Sequence, residues 1–168
     1  RSKATDFNIA FDQIGVIGFS AGGHLASTLG THFDENVYEG VDEADSESAR
    51  PDFMALLYPV ITFTNSTKHS GSQKNLLGPD PSQEMLTRFS NELQVTAETP
   101  PTLLVHATDD GGVPAENSLL FFQALKDEGV SATMHIYPKG GHGFSLARQD
   151  PHLRGWTERL FEWIESLD

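Results

Sequence analysis

Gly18-Phe19-Ser20-Ala21-Gly22 is the stretch that decides the fold of this chain. The apolar run 14–17 comes directly before it and predicts a strand, and residues 22–27 after it predict the start of a helix. A chain that passes from strand to helix in one tight turn holds the residue at the turn in a strained backbone conformation. We expect Gly18 and Gly22 to keep side chains from colliding there, so that the Ser20 hydroxyl stands clear of the sheet.

This G-x-S-x-G pattern is typical of a nucleophile elbow, although the five residues alone are a weak signal. The alternative interpretation is a glycine-rich turn that carries an incidental serine. The predicted strand before the motif and the predicted helix after it favour the elbow. A phosphate-binding loop is excluded, because the chain contains neither Gly-x-x-x-x-Gly-Lys-Ser/Thr nor G-x-G-x-x-G.

Further apolar runs extend this pattern along the chain, and together they predict strands at 14–18, 53–58, 102–107 and 132–137. The first three runs are apolar at nearly every position, as expected for parallel strands that are buried on both faces. Helical spacing of apolar residues follows over 115–128, with Leu119, Phe122 and Leu125 on one stripe, and again from residue 152 to the end. The alternation of predicted strands and helices along the chain predicts an α/β protein, whose parallel sheet has about four strands flanked by helices.

Length and composition describe one globular domain. The chain has 168 residues, of which 38% are hydrophobic, enough for a single core. Its net charge of −13 repels phosphate groups, so nucleic acid and anionic membranes are not expected as partners, whereas neutral esters meet no electrostatic penalty. The chain has no cysteine, which excludes a disulfide framework and leaves its compartment open.

Residues 33–50 are strongly acidic and contain a single base, Arg50. A calcium-binding loop would require carboxylates at alternate positions around a fixed glycine, and that pattern is absent from the sequence. We therefore interpret 33–50 as a solvated insertion that follows the first helix.

A serine nucleophile needs a base, and His142 is the best candidate among seven histidines. It lies in the glycine-rich loop 140–143 just after the fourth predicted strand, where a side chain can reach over the carboxyl edge of the sheet. A structural histidine in a flexible turn is the alternative. The other six lie on predicted helices or strands or in distant loops: His24, His32, His69, His106, His135 and His152.

Two candidates for the carboxylate that orients the base, Asp109 and Asp110, follow the third predicted strand. The order serine, then aspartate, then histidine along the chain is that of an α/β-hydrolase triad. Neighbouring side chains point in different directions, so only one of the pair can face His142. We favour Asp109 and interpret Asp110 as a turn or cap residue.

These motifs resemble a known family. The blocks 18–26, 100–118 and 135–144 are similar to the acetyl-xylan esterase branch of the α/β hydrolases, which includes bifunctional acetyl-xylan and feruloyl esterases. The resemblance runs from about residue 12 to the C-terminus. The block around Asp109 is also similar to prolyl-oligopeptidase relatives, in which the first aspartate of the pair is catalytic.

The resemblance implies a metal-independent esterase, without a cofactor, that removes small acyl groups from a small-molecule or polysaccharide ester. Ser20 would attack the ester carbonyl, His142 would take its proton, and Asp109 would hold the imidazole. The Ala21 backbone N–H would be one oxyanion donor. The acyl site would be lined by Pro59 and Val113.

One departure from the family concerns the oxyanion site. Its members carry strands and a glycine-rich loop before the elbow, and that loop supplies a second oxyanion donor; nothing similar precedes Gly18. We therefore expect the chain to correspond to the C-terminal portion of an α/β-hydrolase domain, with weak or no activity by itself. It would pair with an N-terminal segment or self-associate through a bare sheet edge.

Residues 62–99 are expected to form a loop or cap on the substrate side, with a short helix over 82–90.

Two alternative functions stay open at this point. A prolyl-oligopeptidase-type peptidase is the alternative enzyme, and a hydrolase-fold binding protein without activity is the alternative from another class. The sequence favours the esterase, because residues 22–26 and 116–118 fit that group better and no triad residue is missing.

Overall fold

In the computed structural model, which describes residues 1–167, the strands form one parallel sheet flanked by helices. The strands are β1 (Val16–Phe19), β2 (Met54–Leu57), β3 (Thr102–Ala107) and β4 (Ala132–Tyr137), and their spatial order is the order of the sequence. The α-helices are α1 (Ala21–Thr31), α2 (Ser70–Leu77), α3 (Gln83–Arg88), α4 (Glu116–Asp127) and α5 (Trp156–Glu165). Short 3₁₀ helices cover Glu43–Ser46 and Asn91–Leu93.

The strand register brings Ser20 and three connecting loops to one edge of the sheet. Phe19 at the end of β1 pairs with Leu57 at the end of β2, which in turn pairs with Val105 near the end of β3. Because parallel strands all end at the same edge, Ser20 and the loops after β2, β3 and β4 meet there. The predicted α/β class and parallel sheet are confirmed.

The core lies on both faces of the sheet. Side chains of β2 and β3 alternate between a layer under α1 and α4, formed by Met54, Leu56, Leu104, Ala26, Phe121 and Leu125, and a layer under α5, formed by Ala55, Leu57, Leu103, Val105, Trp156 and Trp163. Burial of each large apolar side chain contributes about 1.5–3 kcal/mol. This two-sided burial is the reason that β2 and β3 are apolar at consecutive positions.

Helix α4 differs from its predicted stripe. Leu119 is 48% exposed, whereas Ser118 and Phe121 are fully buried. The buried face follows positions 118, 121 and 125, which share one side of a helix. The predicted stripe through Leu119 is therefore wrong: the first buried positions of α4 are the polar residues Asn117 and Ser118, and the partner of Ser118, His106, lies in β3.

The acidic segment 33–50 is exposed for most of its length, and Asp42 and Asp45 bond within the segment, whereas Glu35 pairs with Arg88 in α3. Asp42 caps the 3₁₀ helix Glu43–Ser46, and Asp45 accepts hydrogen bonds from the N–H groups of Val41 and Asp42 and from the Tyr38 hydroxyl. These bonds agree with its interpretation as a solvated insertion.

The predicted helix within 82–90 is confirmed as α3, whose N-cap is Ser82.

None of the helices in residues 1–167 is long and apolar enough to span a lipid bilayer.

Candidate active site

Ser20 connects β1 to α1 in a strained backbone conformation, with φ 54° and ψ −119°. A Cβ atom at Gly18 would collide with the backbone carbonyl of Gly22 and lie 2.8 Å from the Ala26 Cβ, so glycine is required there. The expectation for Gly22 is wrong, because a Cβ at that position meets nothing within 4 Å. The second close approach falls instead at Gly23, where a Cβ would lie 2.6 Å from the Pro59 Cβ.

His142 lies beside the serine, as predicted from the loop that carries it. Its Nε2 is 2.7 Å from the Ser20 Oγ, although the two residues are 122 positions apart. The loop crosses back over the sheet edge through Gly141 and Gly143, which have φ angles of 61° and 80°. Glycine is favoured at both positions because other side chains rarely adopt these angles.

The carboxylate at the other side of His142 belongs to Asp110. Its Oδ2 is 2.7 Å from the His142 Nδ1, and its Oδ1 accepts the N–H groups of Gly112 and Val113 at 2.8 Å each. Burial alone would raise the pKa of the Asp110 carboxyl, but the hydrogen bonds from His142, Val113 and Gly112 together hold it below its ordinary value. The carboxylate is therefore ionised and fixed at neutral pH.

The prediction that Asp109 faces His142 is wrong in its geometry. Asp109 is exposed and accepts the N–H of Gly141 at 2.7 Å, so it contacts the backbone of the histidine loop and not the imidazole. The physical reason is a turn after β3, in which the Asp110 N–H bonds to the Ala107 carbonyl and brings the second aspartate back over the strand end. Sequence spacing alone does not reveal that turn.

Tyr58 is a residue of the site that sequence reasoning missed. It follows β2 with a φ of 38°, and its ring packs edge-on against the His142 ring at 5.1 Å between centroids. Its hydroxyl accepts the Ser145 N–H at 3.1 Å, and the Trp156 indole donates to the Ser145 carbonyl at 2.9 Å. These contacts hold the loop that carries His142. An aromatic residue directly after a buried strand is the only signal in the sequence.

Backbone N–H groups that can donate hydrogen bonds lie next to Ser20, at the start of α1. Ala21 is the first residue of α1, where backbone N–H groups have no acceptor within the helix and the dipole favours negative charge. Pro59 packs beside Gly23, while Val113 is buried among Val60 and Phe63. Their role as acyl-site lining therefore stays a prediction.

A largely apolar cavity of about 350 Å³ lies beside Ala21, between α1 and α2, and its walls include Leu25, Phe63, Leu76 and Phe89. His24 forms part of the same wall and stacks on Phe63 at 4.6 Å. Its Nε2 is 2.8 Å from the Phe89 carbonyl, and burial lowers its pKa. His24 is thus a packed structural histidine, consistent with its exclusion as the base.

Within residues 1–167, no cluster of three His, Asp or Glu side chains is arranged to hold a metal ion.

Comparison with known proteins finds a xylanase and an acetylxylan esterase among the relatives of this chain. It is 40% identical over 167 residues to an endo-1,4-beta-xylanase B of Butyrivibrio fibrisolvens, with 99% of this chain and 26% of that protein covered. It is 31% identical over 171 residues to an acetylxylan esterase of Xylanibacter ruminicola, with 99% and 33% covered.

Among solved structures, an acetyl ester-xyloside bifunctional hydrolase from Caldicellulosiruptor lactoaceticus superposes with a TM-score of 0.93 at 44% identity. That superposition covers 99% of this chain and 61% of the other. The chain thus spans about a quarter to a third of the length of these two curated relatives. The sequence profile of the BD-FAE family matches residues 1–125, and the chain belongs to this family of α/β hydrolases.

Proposed function

We propose that the chain carries the catalytic residues of a serine esterase that removes small acyl groups, acetyl in particular, from xylan or a related carbohydrate. One observation carries the proposal: an unbroken hydrogen-bonded series joins the Ser20 Oγ to the His142 Nε2, and the His142 Nδ1 to the Asp110 Oδ2, at 2.7 Å each. A nucleophile, a base and an orienting carboxylate in this arrangement support acyl transfer.

The tautomer that the reaction uses follows from the partners of His142. The ionised Asp110 carboxylate can only accept, so in the neutral imidazole the proton lies on Nδ1 and the lone pair of Nε2 faces the Ser20 Oγ. That lone pair accepts the hydroxyl proton as the Ser20 Oγ bonds to the ester carbonyl carbon. The carbonyl oxygen becomes an oxyanion, for which the Ala21 N–H is a donor at the positive end of α1.

Collapse of the tetrahedral intermediate breaks the ester bond to the sugar. The imidazolium of His142 donates its Nε2 proton to the leaving alkoxide, and the acyl group stays on Ser20. A water molecule then attacks the acyl-enzyme while His142 takes its proton, and the acid is released with Ser20 restored. The Asp110 carboxylate remains ionised throughout and stabilises the transient imidazolium.

The substrate class is supported by the relatives, which include an acetylxylan esterase at 31% identity and an acetyl ester-xyloside hydrolase at 44%. The net charge of −13 is compatible with neutral acylated sugars.

Two experiments test this function. A fluorophosphonate probe should label the protein at Ser20, and the Ser20→Ala variant should not be labelled; absence of any adduct on the wild-type protein would favour a binding protein without activity. Release of acetate from acetylated xylan should exceed cleavage of a proline-linked chromogenic peptide. The reverse preference would favour a peptidase.

A further inference from the structure

A second imidazole, that of His106, lies behind the proposed triad and has no role in the mechanism above. His106 is the fifth residue of β3, and none of its surface is exposed. Its Nδ1 is 2.8 Å from the Ser118 Oγ in α4, and its Nε2 is 2.9 Å from the Val113 carbonyl oxygen. Both ring nitrogens are therefore paired, which fixes the orientation of the ring.

These partners also determine where the ring proton lies. A carbonyl oxygen can only accept, so the Nε2 of His106 carries the proton and its Nδ1 accepts the Ser118 hydroxyl proton. Burial lowers the pKa of His106, against the opposing effect of its bond to Val113 and of the nearby Asp110. The ring is neutral at physiological pH, and its titratable neighbours are Asp110 and His142.

Asp110 lies between the two imidazoles. Its Oδ2 is 2.7 Å from the His142 Nδ1 and 3.3 Å from the His106 Nε2. The Val113 backbone closes the arrangement, because its N–H donates to the Asp110 Oδ1 while its carbonyl accepts from His106. A single N–H of His106 thus faces both the carboxylate and the turn that holds it.

We propose that His106 is a positioning residue of the esterase: its Nε2–H braces the Val113 carbonyl and faces the Asp110 carboxylate, which keeps Oδ2 in place against His142. This inference rests on the proposed function, since it assigns His106 a role through Asp110. Ser118 extends the brace into α4 by fixing the tautomer. The polar interruption of the apolar strand β3 and the buried serine in α4 serve this purpose.

A matched pair of substitutions tests the brace. His106→Gln can place an amide N–H where the imidazole has Nε2, whereas the shorter side chain of His106→Asn reaches Ser118 but not the Val113 carbonyl. On p-nitrophenyl acetate we expect kcat of the Asn variant to fall about 100-fold with KM unchanged, the scale of a misplacement of about 1 Å in a catalytic group. The Gln variant should stay within about 5-fold of wild type. Equal kcat in the two folded variants would overturn the proposal.

Nuclear magnetic resonance of the histidine-labelled chain gives a readout that does not depend on turnover. In the wild type the nitrogen shifts of His106 should report a neutral ring protonated at Nε2, and a proton at Nδ1 would overturn the proposal even if the Asn variant does not fold. The downfield signal of the His142 Nδ1 proton, held by a carboxylate, should persist in His106→Gln and be lost in His106→Asn. A variant that loses only thermal stability, with that signal and kcat unchanged, would indicate a packing role and contradict the proposal.

The Asp110→Asn variant separates this inference from the proposed function. If Asp110→Asn leaves kcat unchanged, the triad assignment itself fails. If Asp110→Asn abolishes activity while His106→Asn does not reduce it, the triad stands and the brace is wrong.

Discussion

The turn after β3, residues 108–115, and the acidic segment 33–50 both hold aspartates with several hydrogen bonds, yet they differ in what those bonds connect. Asp45 is exposed and accepts from Tyr38 and from backbone N–H groups of its own segment. Asp110 is buried and accepts from its own turn and also from His142, which lies 32 positions away. Hydrogen bonds hold the pKa of both carboxyls below the ordinary value.

The comparison teaches that a depressed pKa does not identify a functional carboxylate. Local turns and caps satisfy carboxylates throughout proteins, and they lower the pKa by the same hydrogen bonds that an active site uses. What distinguishes Asp110 is that one of its oxygens faces a titratable side chain that in turn contacts a strained serine. The following substitutions test that difference, from the largest expected effect to the smallest.

The largest loss of kcat is expected for substitution of Ser20, which is hydrogen-bonded to Asp110 through His142. Ser20→Ala removes the proposed nucleophile and should lower kcat on p-nitrophenyl acetate by about 10⁶-fold, the loss that removal of the nucleophile causes in a serine protease. The folded state should persist, as far-ultraviolet circular dichroism can show. Residual turnover above a few per cent of wild type would mean that another group performs the chemistry.

Asp110→Asn should reduce kcat by about 10⁴-fold, because an amide can stabilise the wrong tautomer of His142 and cannot stabilise the imidazolium. Asp45→Asn is the matched control from the acidic segment and should leave kcat unchanged. Steady-state kinetics of the two variants provide the measurement. Loss of activity in both variants, or in neither, would contradict the distinction between Asp110 and Asp45.

Asp109→Asn distinguishes the two neighbouring aspartates. Asp109 accepts the Gly141 N–H in the loop of His142, a bond that an amide oxygen can still accept. We expect kcat within about 10-fold of wild type, since a neutral acceptor makes a weaker bond than a carboxylate. A loss as large as that of Asp110→Asn would restore Asp109 as the triad carboxylate.

The smallest effect concerns pH and stability. A carboxyl whose pKa is lower in the folded state stabilises that state above its ordinary pKa, 3.8 for aspartate, and this stabilisation disappears as pH falls through the lower folded value. Urea unfolding should therefore show a stability difference between wild type and Asp110→Asn at pH 7 that shrinks below pH 4. Asp45→Asn should show the same direction of change, with no accompanying loss of kcat.

Much of the fold was predictable because it follows from local patterns. The runs 102–107 and 132–137 coincide with β3 and β4, since burial imposes an apolar pattern on a strand at every position that faces the core. The predicted strand 14–18 begins two residues before β1 begins and ends one residue before β1 ends. Ile14 and Gly15 extend the apolar run in the sequence but precede the paired residues of the strand. In the site, Ser20 and His142 were predictable from glycine-rich turns at strand ends.

The residues that sequence reasoning missed have signals that depend on distant partners. His106 resembles an incidental polar residue in an apolar strand until Ser118 and Val113 appear beside it. Tyr58 resembles a core aromatic until its contacts with His142 and Ser145 are known. Hydrogen bonds between elements leave no periodicity in the sequence, so they cannot be read from spacing.

The sequence by itself determined the strand–turn–helix around Ser20, the parallel sheet and the edge at which the functional loops meet, because these follow from apolar periodicity and from the backbone freedom of glycine. The tertiary structure alone decided which aspartate faces His142, that Gly23 and not Gly22 makes the close approach, and that Ser118 displaces Leu119 from the buried face. Each of these depends on the direction of a side chain or turn relative to a neighbour distant in sequence. Such directions are set by packing once the sheet has formed, and no local propensity encodes them.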